Sequence, residues 1–196
     1  MVGLTAGVSV RGLICGASLI SRRTVLTAAH CLDYINIASQ SLRAQVGTNR
    51  WNFGGTSYAL MPHSVIHHNY VPYTYVNDIA IVYTTSNVVF NNLVRPVTLG
   101  FSFVPGGVRA RVAGWGRTSL GGSTPVTLME LTTTTLDGND CVNRWASAAA
   151  MNPPPVDPAT EICTFHSTGR GFCHVNSLLV RIQKTKLETK NKTLSK

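Results

Sequence analysis

An all-β fold built from short strands, a barrel or a sandwich, is what this sequence predicts. Two observations carry that reading. Gly, Thr, Ser, Val and Asn are plentiful, a mix that favours short strands joined by turns over long helices. Short apolar or alternating segments also recur between turn signals, with no internal repeat and no strand–helix–strand alternation. The 196 residues suffice for one large β domain or two small ones. A 44% hydrophobic content supports a packed core, and 13% charged residues argue against disorder.

The elements follow in order. Cys15 to Leu26 reads as two strand-like runs around Ser21-Arg22-Arg23. Leu42 to Val46 and Tyr58 to Val65 are further strands, separated by the turn-forming Asn52-Phe53-Gly54-Gly55. A tyrosine-bearing loop, His67 to Val76, leads into Asn77-Asp78-Ile79-Ala80-Ile81-Val82-Tyr83, where Asp78 opens an apolar strand. Val88 to Pro96 closes the first half. Phe101-Ser102-Phe103 and Val108 to Val112 start a second group of strands, followed by Gly114-Trp115-Gly116. Trp115, between two glycines, reads as core packing. Leu128 to Leu136 alternates and is rich in Thr, as a strand is. Asn139 to Ala150 predicts a short helix on an Asn or Asp cap, stopped by Pro153-Pro154-Pro155.

No run of eighteen apolar residues is present, so no membrane span is expected. Met1 to Ile14 has no apolar core ending in a cleavage site and does not read as a signal peptide. Five cysteines at uneven spacing, with no CxxC pair, suggest disulfides and an oxidising compartment. Those two readings conflict: either a signal lies upstream, or the cysteines are free thiols.

The net charge of +9 divides unevenly. Residues 1–174 hold eleven Arg, no Lys and seven acidic residues, or +4; residues 175–196 hold Arg181, five Lys and Glu188, or +5. That break places a boundary near residue 174. The basic tail has no aromatic residue to stack on a base, so it reads as a solvated extension and no nucleic-acid partner is expected.

One stretch organises the chain, Thr27-Ala28-Ala29-His30-Cys31. A histidine beside small residues is a ring held against packed backbone, where it can exchange protons near neutral pH. Taken alone such a histidine is more often structural. Two further blocks change the balance: Asn77-Asp78-Ile79-Ala80-Ile81-Val82, with Asp78 forty-eight residues after His30, and Val112-Ala113-Gly114-Trp115-Gly116-Arg117-Thr118-Ser119.

Together these blocks resemble the chymotrypsin/trypsin family of serine endopeptidases, from about residue 2 to His174, closest to arthropod digestive chymotrypsin- or collagenase-like members. The resemblance implies a double β-barrel with the active site in the cleft between the barrels. It sets residues 1–97 as the first barrel, 98–174 as a partial second barrel and 175–196 as an unrelated tail. It implies His30 as general base and Asp78 as the buried carboxylate that holds the imidazole in the right tautomer. Cys15 with Cys31 and Cys141 with Cys163 match family disulfides, while Cys173 is expected unpaired. Gly171 stands where trypsins carry an aspartate at the floor of the primary pocket, so the pocket is expected to be chymotrypsin-like and not to favour Lys or Arg.

By the same resemblance the substrates are proteins or peptides, with protease inhibitors as further partners. The chain is expected to be monomeric and extracellular, with no cofactor, metal or membrane partner.

The pattern breaks after Cys173. The family continues with Gly-Asp-Ser-Gly-Gly-Pro one residue later, but this chain reads His174-Val175-Asn176-Ser177-Leu178-Leu179. Ser177 falls at the nucleophile's spacing. A β-branched valine resists the conformation of the glycine that supplies an oxyanion-hole N–H. Asn176 replaces an aspartate, and Leu178 and Leu179 replace two glycines. The family's final pocket strands and its N-terminal activation segment have no counterpart, so the second barrel is expected to be incomplete. A Val codon begins with the first two bases of an intron. We hypothesise that residues 175–196 are a translated intron or a misplaced exon end; a spliced transcript still encoding Val175-Asn176 would rule this out. The expectation is therefore a serine endopeptidase by family, inactive in this chain, or alternatively a non-catalytic homologue that acts as a binding or decoy protein.

Metal chemistry has weaker support. His63, His67 and His68 match no ligand pattern with Asp78. Cys163-Thr164-Phe165-His166 with Cys173-His174 is better explained by the Cys141 pairing than by a zinc knuckle. Asn191-Lys192-Thr193 is a glycosylation sequon.

Overall fold

A computed structural model describes residues 1–33, 35, 37, 40–119, 121–147 and 156–167. Six strands close a barrel: β1 (Val2–Ala6), β2 (Gly12–Leu19), β3 (Thr24–Thr27), β4 (Arg43–Val46), β5 (Thr56–Ile66) and β6 (Ala80–Thr84), in the spatial order β1-β2-β3-β6-β5-β4. All neighbouring pairs are antiparallel, and β1 seals the barrel by pairing with both β2 and β4. Closure leaves this sheet no open edge. The core lies inside it, where Val2, Leu4, Val25, Leu42, Val46, Leu60 and Val82 are buried. Each such side chain contributes about 1.5–3 kcal/mol relative to exposure.

The hairpin turn between β4 and β5 uses Gly54 and Gly55 at φ +75° and +65°. A Cβ on Gly55 would fall on the carbonyl oxygen of Val46, so no other residue fits there without strain.

A second sheet joins β7 (Arg109–Gly114), β8 (Met129–Thr135) and β9 (Thr164–Phe165), in the order β7-β8-β9. It is three-stranded among the described residues. Helix α1 (Gly138–Ser147) follows β8 and starts on Asp137, whose Oδ1 accepts the Asp140 N–H at 2.8 Å. The sheet is stitched to the barrel at residues 49–51. Trp115 is 1% exposed, and its indole N–H donates to the Asn49 carbonyl at 3.1 Å. Leu128 N–H donates to the same carbonyl at 2.7 Å, and Trp51 N–H donates to the Val126 carbonyl at 3.3 Å.

Three local expectations differ from the structure. The strand reading begins at Cys15, yet Val2–Ala6 forms β1, and its first four residues are all buried. That removes the alternation by which a strand is read: a Cβ at Gly3 would meet Leu13, Trp51 and Trp115. Phe101-Ser102-Phe103 is not a strand; its two rings are 88% and 81% exposed. No described strand pairs with it, and aromatic propensity without a partner does not make a sheet. Asp78 does not open β6, which begins two residues later at Ala80. Asn77 takes φ +56°, and the Ile79 N–H folds back onto the Asn77 carbonyl at 2.7 Å. That turn lifts Asp78 out of the strand.

Candidate active site

The end of β3 delivers the histidine. Thr27 is fully buried and its hydroxyl donates to the Gly16 carbonyl on β2 at 3.1 Å. Ala28 and Ala29 follow at 2% and 0% exposure, so larger side chains do not fit there. Ala29–Cys31 then forms one turn of 3-10 helix. Its far end is tied to β2 by the Cys15–Cys31 disulfide, with Cα atoms 6.1 Å apart. The imidazole is thereby fixed at its own backbone and at the next residue.

Asp78 meets it from the turn before β6. One carboxylate oxygen accepts the His30 backbone N–H at 2.9 Å, and the other accepts from His30 Nδ1 at 2.7 Å. The aspartate side chain is 2% exposed and the histidine side chain 19%. A carboxylate only accepts, so Nδ1 carries the ring proton and Nε2 is left with its lone pair. Nε2 lies 3.7 Å from Cys31 Sγ. Chemically, the pair is an oriented proton acceptor: Nε2 can take a proton while the buried carboxylate stabilises the resulting cation.

Two tyrosines of the 67–77 loop complete the surroundings, and no sequence signal singled them out for this. Tyr75, at φ +57°, sets its ring edge-on against the imidazole, with centroids 5.5 Å apart and planes at 82°. Tyr70 donates its phenol proton to Asp33 at 2.6 Å, pinning the loop to the residues just after the disulfide. Burial, the Asp33 hydrogen bond, and the nearby charges of Asp33 and Asp78 all push the Tyr70 phenol well above its ordinary range.

The other residues singled out from sequence fall as follows. Cys141 on α1 is bridged to Cys163, just before β9, with Cα atoms 5.8 Å apart. Cys163 is thus committed to a disulfide and not to a zinc knuckle. His67 and His68 stack on each other at 4.7 Å. Gly171, Cys173, His174 and Ser177 lie outside the described residues, as does the whole 175–196 tail. Among the described residues, Cys15, His30 and Cys31 are the one group of three potential metal ligands within reach of one another, their donor atoms within 4.8 Å. With the two sulfurs bonded together, the trio offers no thiolate to a metal. No described helix is long and apolar enough to cross a membrane.

Several known proteins are similar to this chain over much of its length. A family model described as "Trypsin" matches residues 2–177. Trypsin alpha-4 of Lucilia cuprina is 29% identical over 163 residues, which is 83% of this chain and 60% of that protein. Trypsin epsilon of Drosophila erecta is 38% identical over 110 residues, 56% of this chain and 42% of its own. Hypodermin-A of Hypoderma lineatum is 35% identical over 104 residues, 53% and 40% of the two chains. A solved structure described as "Structure of GrC" superposes with a TM-score of 0.70 at 25% identity, covering 87% of this chain and 72% of that one. The chain spans less than two thirds of the length of these curated relatives. The blocks around His30 and Asp78, the closed six-stranded barrel with its second sheet, and the family match over most of the sequence agree: this chain belongs to the trypsin family of serine proteases.

Proposed function

We propose that this chain carries the proton-handling half of a serine endopeptidase site and, with residues 175–179 as encoded, does not hydrolyse peptide bonds. His30 is the general base, and Asp78 orients it and stabilises its protonated form. The observation that carries this is the double hydrogen bond from His30 to Asp78, through backbone N–H and Nδ1 together. A structural histidine has no need of a buried carboxylate bonded to both.

The sequence around Ser177 supports the loss of hydrolysis. Val175 stands where a glycine N–H would face the oxyanion, and Leu178 stands where glycine lets the substrate backbone approach. A serine without an oxyanion hole and an adjacent base is a weak nucleophile. Residues 1–97 and 98–174 are taken as the two barrel units and 175–196 as a tail. The substrate class inherited with the site is protein or peptide, and Gly171 favours an uncharged, chymotrypsin-like preference. Two disulfides fit a secreted protein.

A second reading is supported by the same contrast between an ordered His30–Asp78 pair and an altered nucleophile segment. In it the chain is a non-catalytic homologue that binds protease substrates or inhibitors as a decoy. A fluorophosphonate probe on the purified chain tests the main proposal. No labelling of a soluble chain with native circular dichroism is the expected result. Stoichiometric labelling at Ser177, lost in Ser177→Ala, would overturn the proposed inactivity.

A further inference from the structure

The Cys15–Cys31 disulfide holds two sulfurs beside the imidazole of His30. His30 Nε2 lies 3.7 Å from Cys31 Sγ, and the donor atoms of all three residues fall within 4.8 Å of one another. A tetrahedral zinc ion, with Zn–S about 2.3 Å and Zn–N about 2.0 Å, places a sulfur and a nitrogen ligand roughly 3.5 Å apart and two sulfurs roughly 3.8 Å apart. The observed nitrogen–sulfur spacing is already close to that value. The Cα atoms of Cys15 and Cys31 are 6.1 Å apart, and rotation about their Cα–Cβ bonds lets freed sulfurs spread to the second.

The surroundings match as well. A metal-binding histidine nearly always donates its other ring N–H to a carboxylate or carbonyl, which fixes the tautomer and raises ligand basicity. Here Nδ1–H is held by Asp78 at 2.7 Å, and the lone pair is on the nitrogen that faces the sulfur. Cys15 and Cys31 are 2% and 3% exposed. The histidine side chain is 19% exposed, and gives an ion its way in and a fourth position for water.

We propose that a dithiol converts this group from a disulfide brace into a zinc site with two thiolates and one imidazole. The dithiol gives two electrons to the Cys15–Cys31 bond and becomes a disulfide itself, leaving two thiols. Zn²⁺ then binds both sulfurs and His30 Nε2, and the thiols release two protons. The metal-loaded form has no free Nε2, so the same imidazole serves either as proton acceptor or as ligand. The state of one disulfide thereby decides whether the His30–Asp78 pair is available.

The test uses the full chain, reduced with a phosphine, desalted without oxygen, and titrated with Co²⁺ and then Zn²⁺. One equivalent of cobalt is expected to give the charge-transfer and visible bands of a tetrahedral thiolate site, and zinc to displace it. Zinc is expected to slow alkylation of Cys15 and Cys31 at least tenfold, read residue by residue by mass spectrometry, and to leave Cys173 unchanged. His30→Ala is expected to abolish that protection, and Asp78→Asn to weaken zinc binding about 10–100-fold. If reduction unfolds the chain, zinc is expected to restore its near-ultraviolet circular dichroism, because binding free energy is then folding free energy. Absence of cobalt bands, unchanged protection in His30→Ala, or failure of zinc to restore an unfolded reduced chain would each overturn the proposal.

Discussion

Tyr70 and Asp33, thirty-seven positions apart, are joined by a phenol-to-carboxylate hydrogen bond of 2.6 Å. This bond holds the 67–77 loop against the turn that carries His30, and the same loop supplies Tyr75 and the backbone turn that presents Asp78. Tyr70→Phe is expected to cost about 1–2 kcal/mol, the range for a bond to a charged acceptor that is only partly buried. Its pH dependence has a definite sign. The folded chain keeps a phenol proton that the unfolded chain gives up near its ordinary value of 10.0. The bond's contribution is therefore complete below that pH and falls as pH rises above it. Urea denaturation of both proteins between pH 8 and pH 11 checks this: the gap between them is expected to shrink at the alkaline end.

Asp78→Ala removes the acceptor of two donors at once, leaving the His30 N–H and Nδ1–H without a partner in a nearly closed site. The expected cost is about 2–4 kcal/mol. Asp78→Asn retains a carbonyl for one of them and is expected to cost about half as much. Chemical denaturation with unchanged slope separates a stability loss from a change of fold.

Gly55→Ala places a methyl on the Val46 carbonyl at a left-handed backbone position. The conformation alone costs about 1–2 kcal/mol and the collision adds to it. Thermal unfolding is expected to drop by several degrees, whereas Gly12→Ala, where a Cβ meets nothing within 4 Å, is expected to change little.

Trp115→Phe keeps most of the packing and loses the indole bond to Asn49. It is expected to cost about 1–2 kcal/mol, and Trp115→Ala about 3–5 kcal/mol. Because that ring ties the second sheet to the barrel, limited proteolysis between residues 98 and 108 is expected to speed up in both variants. Equal cleavage in wild type and Trp115→Ala would show that the two units are held by something else.

How much of this was legible in the sequence depended on whether the information was local. His30, with two alanines before it and a cysteine after it, is confined to a few consecutive residues, because a 3-10 turn packed against β2 leaves room for nothing larger. The same holds for the Gly54–Gly55 turn. Asp78 was legible as a residue but not as a conformation, since the turn at Asn77 that frees it from β6 leaves no hydrophobic signature. β1 was illegible because burial on both sides erases alternation. Phe101 and Phe103 misled in the opposite direction, with strand-like composition and no strand to pair with among the described residues. The Tyr70–Asp33 bond and the Trp115–Asn49 bond join residues 37 and 66 positions apart, and a single sequence has no way to announce such pairs.

All six strands of the closed barrel end by Thr84, whereas the second sheet waits for β9 at Thr164–Phe165. Chains are synthesised from the N-terminus at about 5–20 residues per second, so roughly 4–16 s separate the two points. During that interval the barrel can complete its hydrogen-bonding ring and shelter its own core while the rest is still being made. All the residues of the His30–Asp78 pair and of the six barrel strands are therefore synthesised before the sequence around Ser177.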